Sequence, residues 1–236
     1  MRMQLVASVR HTIIFLGIFT VLFLVGLQNA GSSAPLATAV KSHVPLYLGI
    51  IGLQVALLFF IRRGVTARGR TLAELTTFPS GDGEPSPPTR LRTSIFLRMT
   101  VELVLGLLFA AAMHYLLDAV RLRLGFIEDR TSALLPQGPG EAFLWIAVSV
   151  AAGIAEELAF RGYLQRQLTA FIGSRAAAAL LQSLVFGLAH GYQGWKPILI
   201  TALFGLCATL LTLWRGNLYA AMVAHAATDI VGGLWP

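Results

Sequence analysis

An all-α, polytopic transmembrane helix bundle of about seven spans is the fold class this sequence predicts, on three observations. Hydrophobic residues make up 56% of the chain and charged residues only 12%, where a soluble domain is roughly half apolar and a quarter charged. The mean hydropathy is +0.72. The apolar residues are gathered into long runs broken by short polar or basic stretches, the pattern of helices that cross a bilayer.

The first run, Thr12 to Leu27, follows Arg2 and Arg10. A basic start before an apolar core also opens a signal peptide, but this run is long and another membrane segment follows it, so it reads as a retained span. The second, Pro45 to Ile61, stops at Arg62 and Arg63. Beyond Arg68 and Arg70 the segment Thr76 to Arg92 contains Pro79, Pro85, Pro87 and Pro88, which forbid a regular helix. That loop divides the chain into an N-terminal helical hairpin with a Pro/Gly-rich cytoplasmic loop, residues 1–94, and a membrane-embedded core, residues 95–236. Ile95 to Leu117 is the third span and carries Glu102, read as a buried polar contact within the bundle. A loop of mixed charge with Glu128, Asp129 and Arg130 leads to Glu141. From Glu141 to Ile172 the chain can form one helix of about 48 Å at 1.5 Å per residue, longer than a bilayer core. Gly173-Ser174 makes a turn, and Arg175 to His190 returns antiparallel. Lys196 to Leu213 and Asn217 to Leu234 are the last two spans, joined by Arg215-Gly216.

Charge and cysteine usage narrow the class. The formal charge of +7 comes largely from arginines at span ends, such as Arg62, Arg63, Arg68 and Arg70, so basicity reports topology and predicts no nucleic-acid partner. With seven spans the positive-inside rule puts the N-terminus inside and the C-terminus outside. An arginine-rich, lysine-poor, alanine-rich chain of this kind suits a bacterial cytoplasmic membrane. Cys207 is the only cysteine, which excludes a disulfide framework and a thiolate metal cluster. No internal repeat is evident, and this disfavours a transporter built from inverted halves.

Chemistry points to Gly153–Arg161, where Glu156, Glu157 and Arg161 interrupt an apolar run. An ionised group at mid-membrane costs at least ~2.5 kcal/mol, so an intramembrane carboxylate pair is a candidate functional site by default. Glu156 lies 17 residues before Gly173 and His190 lies 17 residues after it, so a hairpin with its apex at Gly173 brings the two level. His225, nine residues beyond Gly216, reaches the same depth. Glu157 and Arg161 are four apart, as an ion pair on one helix face requires, while Glu156 is rotated about 100° away and is free for another role. His225 and Asp229 are also four apart and project to one side. Two rows of small residues, Ala151, Ala155 and Ala159 on one helix and Gly187 with Gly191 on another, would let these helices approach closely.

A carboxylate and an imidazole in a hydrated cavity can activate water by general-base catalysis. Alternatively, Glu156, His190 and His225 can hold a zinc ion with a position left for water. Both routes end in amide hydrolysis, and the residue types leave the choice open. His225 with Asp229 would orient or stabilise the oxyanion, Asp229 acting through His225 or in its protonated form, since an ionised carboxylate cannot donate. There is no His-Glu-x-x-His helix and no Gly-x-Ser-Gly nucleophile, and the Gly81-Asp82 pair lies off the spans, so those other intramembrane protease classes are excluded by motif.

Glu156-Glu157-x-x-x-Arg161, Phe186-x-x-x-His190 and His225-x-x-x-Asp229, in this order on successive membrane helices, resemble the three motifs of the CPBP family, which includes the CAAX prenyl endopeptidases and bacterial abortive-infection-type membrane proteases. The resemblance runs from about residue 141 to the end. It implies an intramembrane endopeptidase, metallo- or glutamic-type, whose partners are the bilayer and a membrane-associated protein or peptide substrate. Glu156 would be the water-activating carboxylate and His190 its partner. His225 and Asp229 would form the oxyanion- or metal-stabilising side, Glu157 and Arg161 the support, and Phe186 a wall of the cavity. The last motif position is Asn in the prenyl endopeptidases and Asp229 here. A non-catalytic membrane partner or immunity protein, keeping the polar cluster for helix association, is the alternative; such a cluster would tolerate single substitutions, since buried polar contacts in membranes average only ~0.6 kcal/mol.

Overall fold

Apolar length and end signals place the helices. The structure, a computed structural model, describes residues 4–31, 42–78, 95–125 and 134–235. The proline-rich loop with Pro79, Pro85, Pro87 and Pro88, and the charges Glu128, Asp129 and Arg130, lie outside the described residues. Among those residues the elements are helical: α1 (Val9–Gly31), α2 (Val44–Thr66), the short α3 (Leu72–Leu75), α4 (Ile95–Arg123), α5 (Pro139–Glu157), a π-helix (Leu158–Leu164), α6 (Gln165–Ile172), α7 (Arg175–Ala189), a 3-10 turn (Gly191–Gln193), α8 (Trp195–Arg215) and α9 (Tyr219–Leu234). Each of the seven expected segments is helical. Five stretches are long and apolar enough to cross a membrane, namely α1, α2, α4, the continuous Pro139–Ile172 and α8. At 15 and 16 residues, α7 and α9 are shorter.

Capping explains several boundaries. α3 is held by a capping box, with Glu74 N donating to Thr71 Oγ1 and Thr71 N donating to Glu74 Oε1. Gly173, at φ +78°, ends α6 in the left-handed conformation that glycine adopts without strain, and Ser174 then caps α7 by accepting from Ala177 N. Gly216, at φ +68°, closes α8 in the same way and allows α9 to turn back.

The expected single helix 141–172 is interrupted. The chain passes from α5 into a π-turn at Leu158 and back to α-helix at Gln165. A π-segment widens the helix locally and is frequent at functional sites. All seven of its residues are buried.

Within the bundle, α5 packs on α2 and α9, α9 packs on α4, and α7 packs on α8, with α1 against α7 and the 3-10 turn. Half of the Pro139–Ile172 window and 44% of that of α8 is buried, against 11–17% for α1, α2 and α4. The helices that carry Glu156, Glu157 and Arg161 are thus more enclosed by protein than α1, α2 and α4.

Small residues do bring helices together, although not in the expected pairs. A Cβ on Gly187 would meet Ile198 O and Ala202 of α8, and one on Gly191 would meet Phe23 of α1. Gly187 thus seats α7 against α8, and Gly191 seats the 3-10 turn against α1, rather than either meeting the alanine row Ala151, Ala155 and Ala159. The close approach to α5 comes from α9, where a Cβ on Gly153 would lie 2.8 Å from Met222 O.

The front hairpin is fastened to the core by polar contacts. Gln167 Oε1 accepts from Val6 N at 2.8 Å, His11 Nδ1 is 2.7 Å from Tyr163 OH in the π-helix, and Thr12 is 3.1 Å from the same hydroxyl. The strand-like stretch after α3 joins the α8–α9 turn through Phe78 N to Gly216 O, 2.8 Å, and Leu218 N to Thr76 O, 2.9 Å. Arg166 donates to the carbonyls of Leu75 and Thr77. Glu102 is taken up at this end of the bundle, accepting from Arg215 Nη2 at 2.8 Å and Asn217 Nδ2 at 3.0 Å.

Candidate active site

The two acids sit on the last turn of α5, where the helix enters its π-segment. Being consecutive, they point to different neighbours. Glu157 turns inward and is fully buried. Its Oε1 accepts from Arg161 Nη1 at 2.8 Å and lies 2.9 Å from His225 Nδ1. Arg161, also fully buried, donates its Nη2 to Gly205 O at 3.1 Å and lays its guanidinium 4.4 Å from the Phe186 ring centroid. A buried charge needs a partner, and Glu157 and Arg161 are partners to each other, although Glu157 Oε2 and Arg161 Nε have no hydrogen-bond partner among the described residues.

Glu156 faces the other way. Its Oε2 lies 3.9 Å from His190 Nε2 and 3.8 Å from His225 Nε2. Both imidazoles are oriented from behind. His190 Nδ1 is 2.8 Å from Phe186 O, an acceptor only, so the proton sits on Nδ1 of the neutral ring. His225 Nδ1 meets Glu157 in the same manner. Each ring therefore presents Nε2 to Glu156. The two separations exceed a direct hydrogen bond and are short enough for one water to span.

Asp229 Oδ2 lies 3.5 Å from His225 Nε2, and the Asp229 carbonyl accepts from Trp145 Nε1 at 2.9 Å. The side chain of Asp229 is 37% exposed, against 16% for Glu156, 19% for His190 and 6% for His225. The cluster is thus more open on its Asp229 side. Phe186 is buried and touches the rings of His190 and His225, with centroids 4.9 and 5.9 Å away, the second edge-on. It forms the floor between the two imidazoles.

All seven residues singled out from the sequence, Glu156, Glu157, Arg161, Phe186, His190, His225 and Asp229, lie in this one cluster. Three contributors were not singled out. Gln54 of α2 donates its Nε2 to Glu156 Oε1 at 2.7 Å. Gly205 supplies the carbonyl for Arg161, and a Cβ there would stand 3.0 Å from Phe186. Trp145 holds the backbone at Asp229. A lone glutamine in the apolar run Pro45–Ile61 was the one signal available in the sequence.

Glu156, His190 and His225 are also the three groups considered for zinc. Ligand bonds of about 2.0–2.2 Å in a tetrahedral site put donors about 3.3 Å apart. The observed separations are wider, and among the described residues no group of three or more His, Cys, Asp or Glu is placed to hold a metal ion. The residues as arranged do not fit the metal, and no step below runs through one.

What the arrangement does provide is a carboxylate oxygen, Glu156 Oε2, that is buried and without a hydrogen-bond partner among the described residues. It faces two imidazole nitrogens, beside a hydrogen-bonded acid–arginine support. Residues 138–231, about two-fifths of the chain, match the family model described as Type II CAAX prenyl endopeptidase Rce1-like. The match supports the CPBP, CAAX protease-like family for this region. No curated protein and no solved structure matches the chain. The CPBP region contains every motif residue of the cluster. α2, which carries Gln54, lies outside it. The match supports a CAAX-type intramembrane endopeptidase kind of function, and together with the apolar helices it supports an integral membrane protein.

Proposed function

We propose that this protein is an intramembrane endopeptidase of glutamic type, in which Glu156 activates a water against a peptide bond of a membrane-associated protein or peptide. The observation that carries the reading is the buried, unpartnered Oε2 of Glu156, set opposite Nε2 of His190 and His225. A buried acceptor without a partner costs about 1–3 kcal/mol, and here it stands where a water can satisfy it and two rings can share that water.

The steps follow from the donor and acceptor roles. Water donates one hydrogen to Glu156 Oε2 and the other to His190 Nε2. Glu156 takes the first proton as the water oxygen bonds to the substrate carbonyl carbon. His225, as an imidazolium held by Glu157 at Nδ1 and flanked by Asp229, donates from Nε2 to the oxyanion. Glu156 then passes its proton to the leaving nitrogen as the C–N bond breaks, giving a carboxylic acid and an amine. Arg161 and Glu157 touch no reacting atom and fix the position of His225.

The test compares membrane-protein fragments in cells expressing the protein or its Glu156→Gln or His190→Ala variant at equal levels. Fragments present with the native chain should vanish with both variants. The same fragments from all three would overturn the reading.

A further inference from the structure

Gln54 comes from the hairpin that precedes the family-matched region, yet it makes the shortest polar contact to Glu156. Its Nε2 lies 2.7 Å from Glu156 Oε1, and the residue is 7% exposed. The amide orientation follows from charge, since an ionised carboxylate only accepts and the amide NH2 must face it.

We infer that Gln54 is a positioning residue of the active site, holding one oxygen of Glu156 so that the other faces His190 and His225. The inference rests on the glutamic reading of Glu156.

Three observations support it. With Oε1 engaged by Gln54, the Glu156 carboxylate can no longer swing about its terminal torsion without losing that bond, and Oε2 is left opposite both Nε2 atoms. Such terminal torsions are otherwise broad and two-fold. Next, Gln54 Oε1 is buried and has no partner among the described residues. Gln54 donates to Glu156 and leaves its acceptor free beside the cluster. Finally, other polar contacts fasten the hairpin to the core, at Gln167, Tyr163 and Arg166, so Gln54 is not needed for docking.

The consequence is that the hairpin completes the site. Misplacing a catalytic group by about 1 Å can cost 10²-fold in rate.

The experiment replaces Gln54 with Met, which keeps length and loses the donor, and with Asn, which keeps the amide and loses the reach. Difference infrared spectra of the purified protein in detergent assign the Glu156 carboxylate stretch as the band missing from Glu156→Gln. In both Gln54 variants that band should move, and the yield of Glu156-dependent fragments should fall about 10- to 100-fold at unchanged thermal stability. If one variant fails to fold, the other is read alone; if neither folds, Gln54 is a structural residue and the inference is overturned. An unmoved band overturns it too, whether or not yield falls. Activity retained in Glu156→Gln would instead sink the glutamic reading itself, and dead Glu156→Gln with native-like Gln54 variants sinks only the role of Gln54.

Discussion

His225 Nδ1 lies 2.9 Å from the Glu157 oxygen that also receives Arg161 at 2.8 Å. One buried carboxylate oxygen therefore joins a charge pair to an imidazole of the site. Removing a single partner from a buried pair strands the other charge, at a typical cost of 3–5 kcal/mol. Glu157→Gln and Arg161→Met should each lower the thermal midpoint in detergent markedly. The double variant should lose less than the two singles added together. Additive losses would mean that the pair is not coupled.

Proteolysis should survive metal removal. The donors at Glu156, His190 and His225 are spaced for water and do not fit a metal. Dialysis against a strong chelator should leave the fragment yield within about twofold, whereas loss restored by zinc would overturn the glutamic mechanism.

Glycines divide into those that seat a helix and those that do not. A Cβ on Gly187 would press on Ile198 O, and one on Gly153 would lie 2.8 Å from Met222 O, while Gly49 and Gly52 have nothing within 4 Å. Gly153→Ala and Gly187→Ala should destabilise by about 1–3 kcal/mol, as overpacking does. Gly52→Ala should be neutral in the same melting assay.

Glu102 is a buried acid outside the cluster. Held by Arg215 and Asn217 at the α8–α9 turn, its replacement by Ala should lower the melting point and leave the fragment yield per folded molecule unchanged. A yield that fell with Glu102→Ala at full stability would connect this turn to the site.

The apolar runs, the turns at Gly173 and Gly216, and the i,i+4 pairs Glu157–Arg161 and His225–Asp229 were legible in the sequence because each is a local regularity of period or conformation. The level placement of Glu156 and His190 was legible because both are counted from one turn. Gln54 was not, since it meets Glu156 across 102 residues and no spacing rule links α2 to α5. The second partner of Glu157, His225, was missed for the same reason. Gly187 and Gly191 were recognised as small residues, but the neighbours they admit, Ala202 and Phe23, depend on how whole helices are arranged. The π-helix left little local mark, because the one residue of Leu158–Leu164 unfavourable to an α-helix, Gly162, is common inside membrane helices.

That segment has a consequence for length. A π-turn holds an extra residue relative to the α-helix on either side, so Leu158–Leu164 behaves as a stored insertion. Winding the same seven residues as regular α-helix would swing everything beyond them by about 100° relative to Glu156 and Glu157. Tyr163, Arg166 and Gln167 would turn away from His11, Thr77 and Val6 together. The winding of this stretch, as much as its side chains, is therefore fixed by the contacts on both sides of it.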